Sequence, residues 1–488
     1  MQPTAPIELR GHADRWSSAV DVPSAALAEL SAATTVVTDV AETADASRDW
    51  WPLAMHWALA GEVPARARVV CRPTSTAEVA AMARVCNRHG VPLTAAGGRS
   101  AVTGAAVPAF GGVLADLTGL AGVGDVDEDS GVVEVAAGTS GPELEEFLGR
   151  HGLSVGHFPQ SFELATVGGW VACRGAGQYS TRYGKIEDLV AGLEVVLADG
   201  TVVRTGGAPA AASGPDLTQL FCGSEGTLGL ITRVWLRTHP TPPAEQRAAY
   251  SFATFADGVE ACRQIMRIGA TPAVLRLYDT VESAASGRGG DGSTCTLLVL
   301  DEGDRRIVEA TMAVVADACR LGAPAPAELV ATWIEHRNDT SALEALTRQG
   351  YIVDTMEIAA RWSRLEGLFD GVRARLGDAG AKVASCHLSH SYPDGACLYF
   401  TFAAKPDPAD VESTYRALWD AGQQAVLDGG GNLSHHHGIG INRGRFVADA
   451  LGDAFGVLCA VKRALDPNGI FNPGKLGLPS PFGEAPWP

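Results

Sequence analysis

The sequence predicts an α+β protein in which a cofactor-binding domain is interrupted by an inserted antiparallel sheet. Three observations carry that reading. From Ala65 onward, short apolar runs alternate with helical patterns. Three loops rich in small residues fall in the first half of the chain: PLTAAGGRSAVTGAAVP from Pro92, HFPQSFELATVGGWVACRGAGQYSTRYGKIEDLV at 157–190, and CGSEGTLGLITRV from Cys222. The proline-rich HPTPPAE at 239–245 then separates them from a unit of different character.

Residues 1–64 read as an N-terminal helical extension, through AALAELSAA and DWWPLAMHWALAG, with Trp50, Trp51 and Trp57 covering a core face. The span 65–240 reads as the cofactor-binding domain. RARVVCRP is a strand, and TSTAEVAAMARVCNRHG is a helix capped by a hydroxyl and ended by Gly90. VPLTAAGG is the next strand, running into its loop. GVLADLTGL and GVVEVAAGTS are further strands, GPELEEFLGRHG is a helix, and LVAGLEVVLADGTVVRTG is a hairpin turning at Asp199-Gly200. The last strand of this domain ends near Arg237. The span 241–428 reads strand, helix, strand in SFATFADGVEACRQIMRIGATPAVLRLYD, and again from DTMEIAARW to GACLYFTFAA. That pattern predicts an antiparallel sheet covered by helices.

The chain has 488 residues and a formal net charge of −18. An acidic surface argues against nucleic acid or an anionic membrane as partner. No apolar run reaches the roughly 18 residues of a transmembrane helix. The N-terminus lacks the basic-then-apolar pattern of a signal peptide, and the C-terminal EAPWP carries no peroxisomal address. The 10 cysteines form no CxxC pair and read as reduced, mostly buried thiols of a cytoplasmic protein.

Side chains hold a main chain too far from a diphosphate, whereas glycine lets peptide N–H groups face it. Three such loops predict backbone wrapped around one long polyanionic cofactor. No GxGxxG opens a helix after a first strand. The literal match, GRGGDG from Gly287, reads as a loop, so the fold is not a Rossmann domain.

The order and wording of these loops resemble the FAD-binding domain (PCMH type) of the vanillyl-alcohol oxidase/p-cresol methylhydroxylase superfamily. Within it, PQSFELATVGGWVACRGAGQYSTRYGKIEDLV is similar to the alkyl-dihydroxyacetonephosphate synthase branch. The resemblance implies FAD, a substrate cap at 241–428, a homodimer, and a return to the flavin domain at 429–488 through LDPNGIFNPGKL. It assigns Gly97, Gly98, Ser100, Thr103 and Gly104 to the diphosphate. Pro159, Gln160, Ser161, Thr166, Gly168, Gly169, Cys173, Arg174, Gly175 and Ala176 would flank the ring and ribityl chain, with Cys173 packed rather than nucleophilic. Glu225, Gly226, Thr227, Gly229 and Ile231 would meet the adenine half, and Asp188 is a further contact or a structural residue. Arg99 stands where some relatives carry a histidine joined covalently to the flavin. An arginine cannot take that role, which predicts noncovalent FAD with the Arg99 charge beside the diphosphate.

On the substrate side the resemblance singles out Tyr399 as proton abstractor and Arg276 as partner for an anionic substrate or reduced flavin. It also marks His435, His436 and His437 as proton acceptors or anion-binding groups. A phenol titrates near pH 10, so Tyr399 needs cationic neighbours to serve as a base. His387 and His390 would build a metal site with the triplet only by sharing a face. Three residues apart in a strand they point opposite ways, and no metal is expected. One departure bears on the reaction. The ether-lipid enzymes carry a phosphate-binding arginine in a PYLRD-like segment, and here Leu343 and Glu344 take the places of its arginine and aspartate. Leucine cannot bind phosphate, so Arg337 or Arg348 would have to act from a shifted position. Glu357 and Trp362 still match the later ETxxxW element.

The expected activity is FAD-dependent oxidation of a small alcohol, hydroxyacid or related molecule. Hydride would pass to the flavin, and a proton to Tyr399 or to the loop 435–437. The alternative is an alkyl-dihydroxyacetonephosphate synthase, which needs a phosphate-binding cation. A flavin-binding scaffold without chemistry fits poorly with Tyr399, Arg276 and three consecutive histidines.

Overall fold

The computed structural model describes residues 5–17, 19–284 and 290–487. The start of the GRGGDG match, at 287–289, lies outside the described residues.

Two sheets form the part that carries the three small-residue loops. The first has four strands in the order Thr35–Val37, Val69–Arg72, Val113–Asp116, Leu93–Ala96. Its inner pairs are parallel, and Val79, Met82 and Cys86 of the helix Thr76–His89 pack on Cys71, Leu93 and Val113. That helix begins where Ser75 Oγ accepts from Glu78 N at 3.3 Å and ends at Gly90, φ 62°. Both signals stand in the sequence as expected. The N-terminal extension is less helical than expected, because Thr35–Val37 pairs antiparallel with Val69–Arg72 and so lengthens this sheet. β-Branched residues there meet an open strand edge, and pairing wins over helix.

The second sheet is antiparallel, in the order Val202–Gly206, Val190–Val196, Leu230–Arg237, Val132–Ala136, Val123–Asp127. Its hairpin turns at Asp199-Gly200, where Gly200 takes φ 81°.

Seven antiparallel strands build the cap, in the order Ala323–Ala325, Ala244–Phe252, Cys295–Gly303, Val274–Tyr278, Val383–Ser391, Gly395–Ala404, Ile352–Arg361. Alternation sorts its two faces. Leu275, Leu277, Cys386, Leu388, Leu398, Phe400 and Phe402 join one apolar core with the helices Phe255–Ile268, Trp362–Asp378 and Val411–Gly429. Arg276, Tyr278, Ser385, His387, Tyr399 and Thr401 fall on the other face, which borders a cavity against the flavin domain. The polar face of this sheet is the chemical one.

The chain ends fasten the parts together. Ile470 O accepts from Leu93 N at 2.8 Å, and Asn472 N donates to Leu93 O at 2.9 Å, so the last segment lies beside the first sheet. Lys462 Nζ bonds Thr227 O and Phe471 O, each at 2.8 Å. Trp51 and Trp57 meet Trp487 edge-on, and Trp51 Nε1 donates to Tyr415 Oη, which donates to Asp354 at 2.6 Å. Trp51 and Trp57 thus cover a core face as expected.

Candidate active site

A cavity of about 1120 Å³ runs between the flavin part and the cap. Gly97, Gly98, Arg99 and Ser100 of the first loop line it. A Cβ on Gly98 would lie 1.7 Å from Leu164 O, and one on Gly97 would lie 2.4 Å from Thr166 Oγ1. Only glycine lets the first two loops touch backbone to backbone. The N–H groups of Ser100 and Ala101 donate to no acceptor among the described residues, as an anion cradle requires. Thr103 and Gly104 do not line the cavity. Thr103 O instead accepts from Ile441 N and Asn442 N, and Gly104 (φ 77°) packs on Trp51 and Ile441. They anchor the C-terminal segment. The Arg99 guanidinium is engaged by Asp45, 2.5 Å from its carbonyl and 3.5 Å from its carboxylate, so its charge is directed at the helix Val40–Ala46.

From the second loop Pro159, Gln160, Ser161, Thr166, Gly168, Gly169, Cys173, Gly175 and Ala176 line the cavity. Thr166 caps the helix Val167–Ala172, accepting from Gly169 N at 3.3 Å. A Cβ on Gly168 would meet Ala137 Cβ at 2.7 Å. Arg174 turns away to pair with Glu187, 3.2 Å distant, because its backbone sits at φ 54°. Burial pushes the Cys173 thiol up to about 12, which agrees with a packed residue. Asp188 accepts from Lys185 N at 2.9 Å and is structural. Of the third loop Glu225, Gly226, Gly229 and Ile231 line the cavity. Thr227 does not, since its hydroxyl donates to Ser224 O at 2.7 Å. Glu225 accepts from Ile439 N at 2.6 Å and Gly440 N at 2.8 Å, tying this loop to the C-terminal segment.

Just before the second loop, His157 is 1% exposed, and neither ring nitrogen has a partner among the described residues. Burial, and secondarily Lys185, lowers its pKa from the ordinary 6.5 to about 3. Above pH 6.5 both folded and unfolded chains carry it neutral. Below that, the unfolded chain takes a proton that the folded one refuses, so stability falls with pH down to about 3. At pH 5 the loss is about 2 kcal/mol for this residue. The melting temperature is expected to drop between pH 7 and pH 5, and less in His157→Phe. An equal drop in both proteins would show that other groups govern the acid limb.

On the cap, Arg276 Nε donates to Tyr278 Oη at 2.9 Å. The Tyr399 ring stacks on His387 at 4.7 Å, and His387 Nδ1 lies 3.0 Å from Glu282 Oε2. Burial raises the Tyr399 pKa in spite of Arg276, so this phenol stays protonated. His436 and His437 line the cavity; His435 stands behind them. Its Nε2 lies 2.7 Å from Tyr392 Oη and its Nδ1 lies 2.8 Å from His436 Nδ1. His436 Nε2 is left as the open nitrogen of that chain. Glu357, fully buried, clamps the loop: it accepts from Ser434 Oγ (2.5 Å), His437 N (2.9 Å), His436 N (3.3 Å) and the Arg443 guanidinium (2.6 Å).

The expectation that His387 and His390 face opposite ways fails. A bulge between Ser389 and Ser391, with His390 at φ 50°, turns His390 onto the cavity face beside His387. Ring nitrogens of His390, His435 and His436 come within 4.8 Å of one another, a spacing at which a metal would fit. His390 Nδ1 lies 2.6 Å from Ser180 Oγ, and His435 meets Tyr392 through Nε2 and His436 through Nδ1. Burial holds all three histidines well below their usual pKa, hence neutral.

Cavity residues that sequence reading did not assign to the site include three apolar ones. Trp50 and Pro52 come from the N-terminal extension, and Trp333 from the helix Glu328–His336. Apolar residues carry no chemical signature, so only the fold finds them. Leu343 does line the cavity, while Arg348 is tied to Glu344 at 2.8 Å. Of the two candidate replacement arginines, only Arg337 reaches the cavity.

Residues 67–206 match the model of an FAD binding domain, and residues 241–476 match that of the FAD linked oxidases, C-terminal domain. An uncharacterised FAD-linked oxidoreductase, YgcU of Escherichia coli O157:H7, is 31% identical over 428 residues, covering 82% of this chain and 87% of that one. The chain belongs to the FAD-linked oxidoreductases. Other relatives include the alkyldihydroxyacetonephosphate synthase of Dictyostelium discoideum, 30% identical over 85% of this chain and 74% of its own. The D-lactate dehydrogenase of Anaerostipes hadrus is 27% identical, over 84% and 90%. Among solved structures, an alkyldihydroxyacetonephosphate synthase superposes with a TM-score of 0.77 at 25% identity, over 97% of this chain and 89% of that one. As an FAD-linked oxidoreductase the protein is an enzyme whose cofactor is FAD. The cradle fits: three glycine-tightened loops line one continuous cavity that ends on the cap histidines. Among the described residues, no helix is long and apolar enough to cross a membrane.

Proposed function

We propose that this enzyme oxidises a small hydroxyacid or alcohol, with FAD held noncovalently by the three loops and His436 taking the substrate proton. FAD, when bound, supplies the hydride acceptor. The observation that carries the reading is the cap face: a neutral, partly engaged imidazole opens onto the cavity beside a protonated phenol. In the tautomer where Tyr392 accepts from His435 Nε2–H, His436 Nδ1–H donates to His435 Nδ1. His436 Nε2 then presents a lone pair to the substrate hydroxyl. Tyr399 remains a donor that orients the substrate oxygen, and Arg276 adds positive charge nearby. No metal enters this scheme. Free thiols at all ten cysteines support a cytoplasmic setting, and the superfamily resemblance supports a homodimer.

The likeness to alkyldihydroxyacetonephosphate synthases favours a second reading, ether formation on a phosphorylated ketone. Leu343 weighs against it. The test is the visible spectrum before and after acid precipitation, followed by anaerobic addition of alcohols and hydroxyacids. Yellow colour released to the supernatant and bleaching by a donor are the expected results. Flavin kept in the pellet would overturn noncovalent binding. A flavin that no donor reduces, yet which forms an adduct with acyl-dihydroxyacetone phosphate, would establish the second reading.

A further inference from the structure

We propose that His435 and Tyr392 form a proton relay, which takes the substrate proton from His436 and delivers it outside the cavity. The proposal rests on the oxidation argued above. Behind His436 runs an unbroken line of groups that can each give and accept a proton. His436 borders the cavity, its Nδ1 lies 2.8 Å from His435 Nδ1, and His435 Nε2 lies 2.7 Å from Tyr392 Oη. His435 is only 5% exposed. Tyr392 is half-buried and precedes the exposed bend at Pro393 and Asp394.

Separate anchors set this line. The His435 N–H donates to Glu357 O at 3.1 Å, and its carbonyl accepts from Lys185 Nζ at 2.7 Å. Tyr392 N donates to Gly395 O at 2.8 Å, and Tyr392 O accepts from Trp362 Nε1 at 3.1 Å. The approach of the two rings is thus fixed by their main chains, one on the loop 434–437 and one in the hairpin turn at 392–394. A branch from Tyr392 through Ser180 to His390 Nδ1 leads back to the cavity, so the exit is at the bend.

These rings are poor places to keep a charge. Burial first, then His437 and His390, hold His436 neutral; burial and then Lys185 do so for His435. Burial also raises the Tyr392 pKa, so no phenolate accumulates. A proton accepted at His436 Nε2 is therefore passed on. The His436 Nδ1 proton moves to His435 Nδ1, the His435 Nε2 proton moves to Tyr392 Oη, and the phenol gives its own proton to solvent at the bend. One proton enters, one leaves, and each hydrogen bond in the line reverses. No electron travels along it.

Stopped-flow mixing of the FAD-loaded enzyme with a bleaching donor, in weak buffer with a pH-indicator dye, reads reduction and proton release together. In the wild type, release is expected to keep pace with bleaching. Tyr392→Phe should leave single-turnover bleaching within about threefold and delay proton release about tenfold or more. His435→Gln should delay release as much, and melting curves show that both variants are folded. Histidine nitrogen-15 spectra of the resting enzyme give a readout free of turnover: His435 is expected to be protonated at Nε2 alone, and His436 at Nδ1 alone. Release that keeps pace with bleaching in both variants would overturn the relay. So would the opposite tautomers, or one equivalent of a divalent metal bound by these histidines in the purified protein, since it would commit their nitrogens. A flavin that no donor bleaches sinks the oxidation instead, and the tautomers then decide the relay.

Discussion

Glu357→Gln is expected to destabilise the enzyme by about 3–5 kcal/mol, because it strands Arg443, which is itself 0% exposed. For a chain of 488 residues that lowers the melting temperature by roughly 3–5 °C. Burial alone would raise the pKa of Glu357; Arg443 and then His437 reverse this and hold it well below 4.5. Its contribution is therefore present above pH 4.5 and is lost as pH falls through the folded value. The same substitution frees the histidine loop, since Ser434, His436 and His437 all bond this one carboxylate. Differential scanning calorimetry and flavin content measure the two effects. A melting temperature within about 1 °C of wild type would mean that Arg443 finds another partner, and the clamp would be discarded.

His436→Ala should lower the rate of anaerobic flavin reduction by about 10²–10⁴, the usual contribution of a positioned general base. Tyr399→Phe should do less, about tenfold, since it removes an orienting hydroxyl from a phenol that burial keeps protonated. Stopped-flow reduction with a donor that bleaches the wild type decides between them. The reverse ranking would return the proton to Tyr399. Comparable small losses from both would leave the base elsewhere on the cap.

Much of this was legible in the sequence because glycine spacing is a local property. Gly97, Gly98 and Gly168 reveal close approach wherever they stand, and the hairpin at Asp199-Gly200 depends on few residues. The antiparallel cap followed from alternation in runs such as GACLYFTFAA, and the same alternation put Tyr399 on the polar face. The rest was not local. The bulge at Ser389–Ser391 breaks the two-residue period, and nothing in CHLSHSY announces it, so His390 was assigned to the wrong face. Thr103, Gly104, Arg174 and Thr227 belong to cofactor loops by position yet serve contacts with Ile441, Glu187 and Ser224 that only the tertiary structure supplies. The strand Thr35–Val37 forms because a partner edge lies open, not because three residues demand it.

The pairing of Leu93 with residues 470–472 has a consequence for biosynthesis. The first cofactor loop follows directly on the strand Leu93–Ala96, but that strand gains its outer neighbour only when the closing residues have been made. Glu225 likewise waits for Ile439 and Gly440 before its carboxylate is engaged. Contacts of such long sequence separation form late. A ribosome-bound nascent chain can hold the cap sheet complete while its cofactor cradle is still unfinished. The cradle is therefore completed only after residues 439–472 have been made, and a test of its completion is that the strand Leu93–Ala96 has met the segment 470–472.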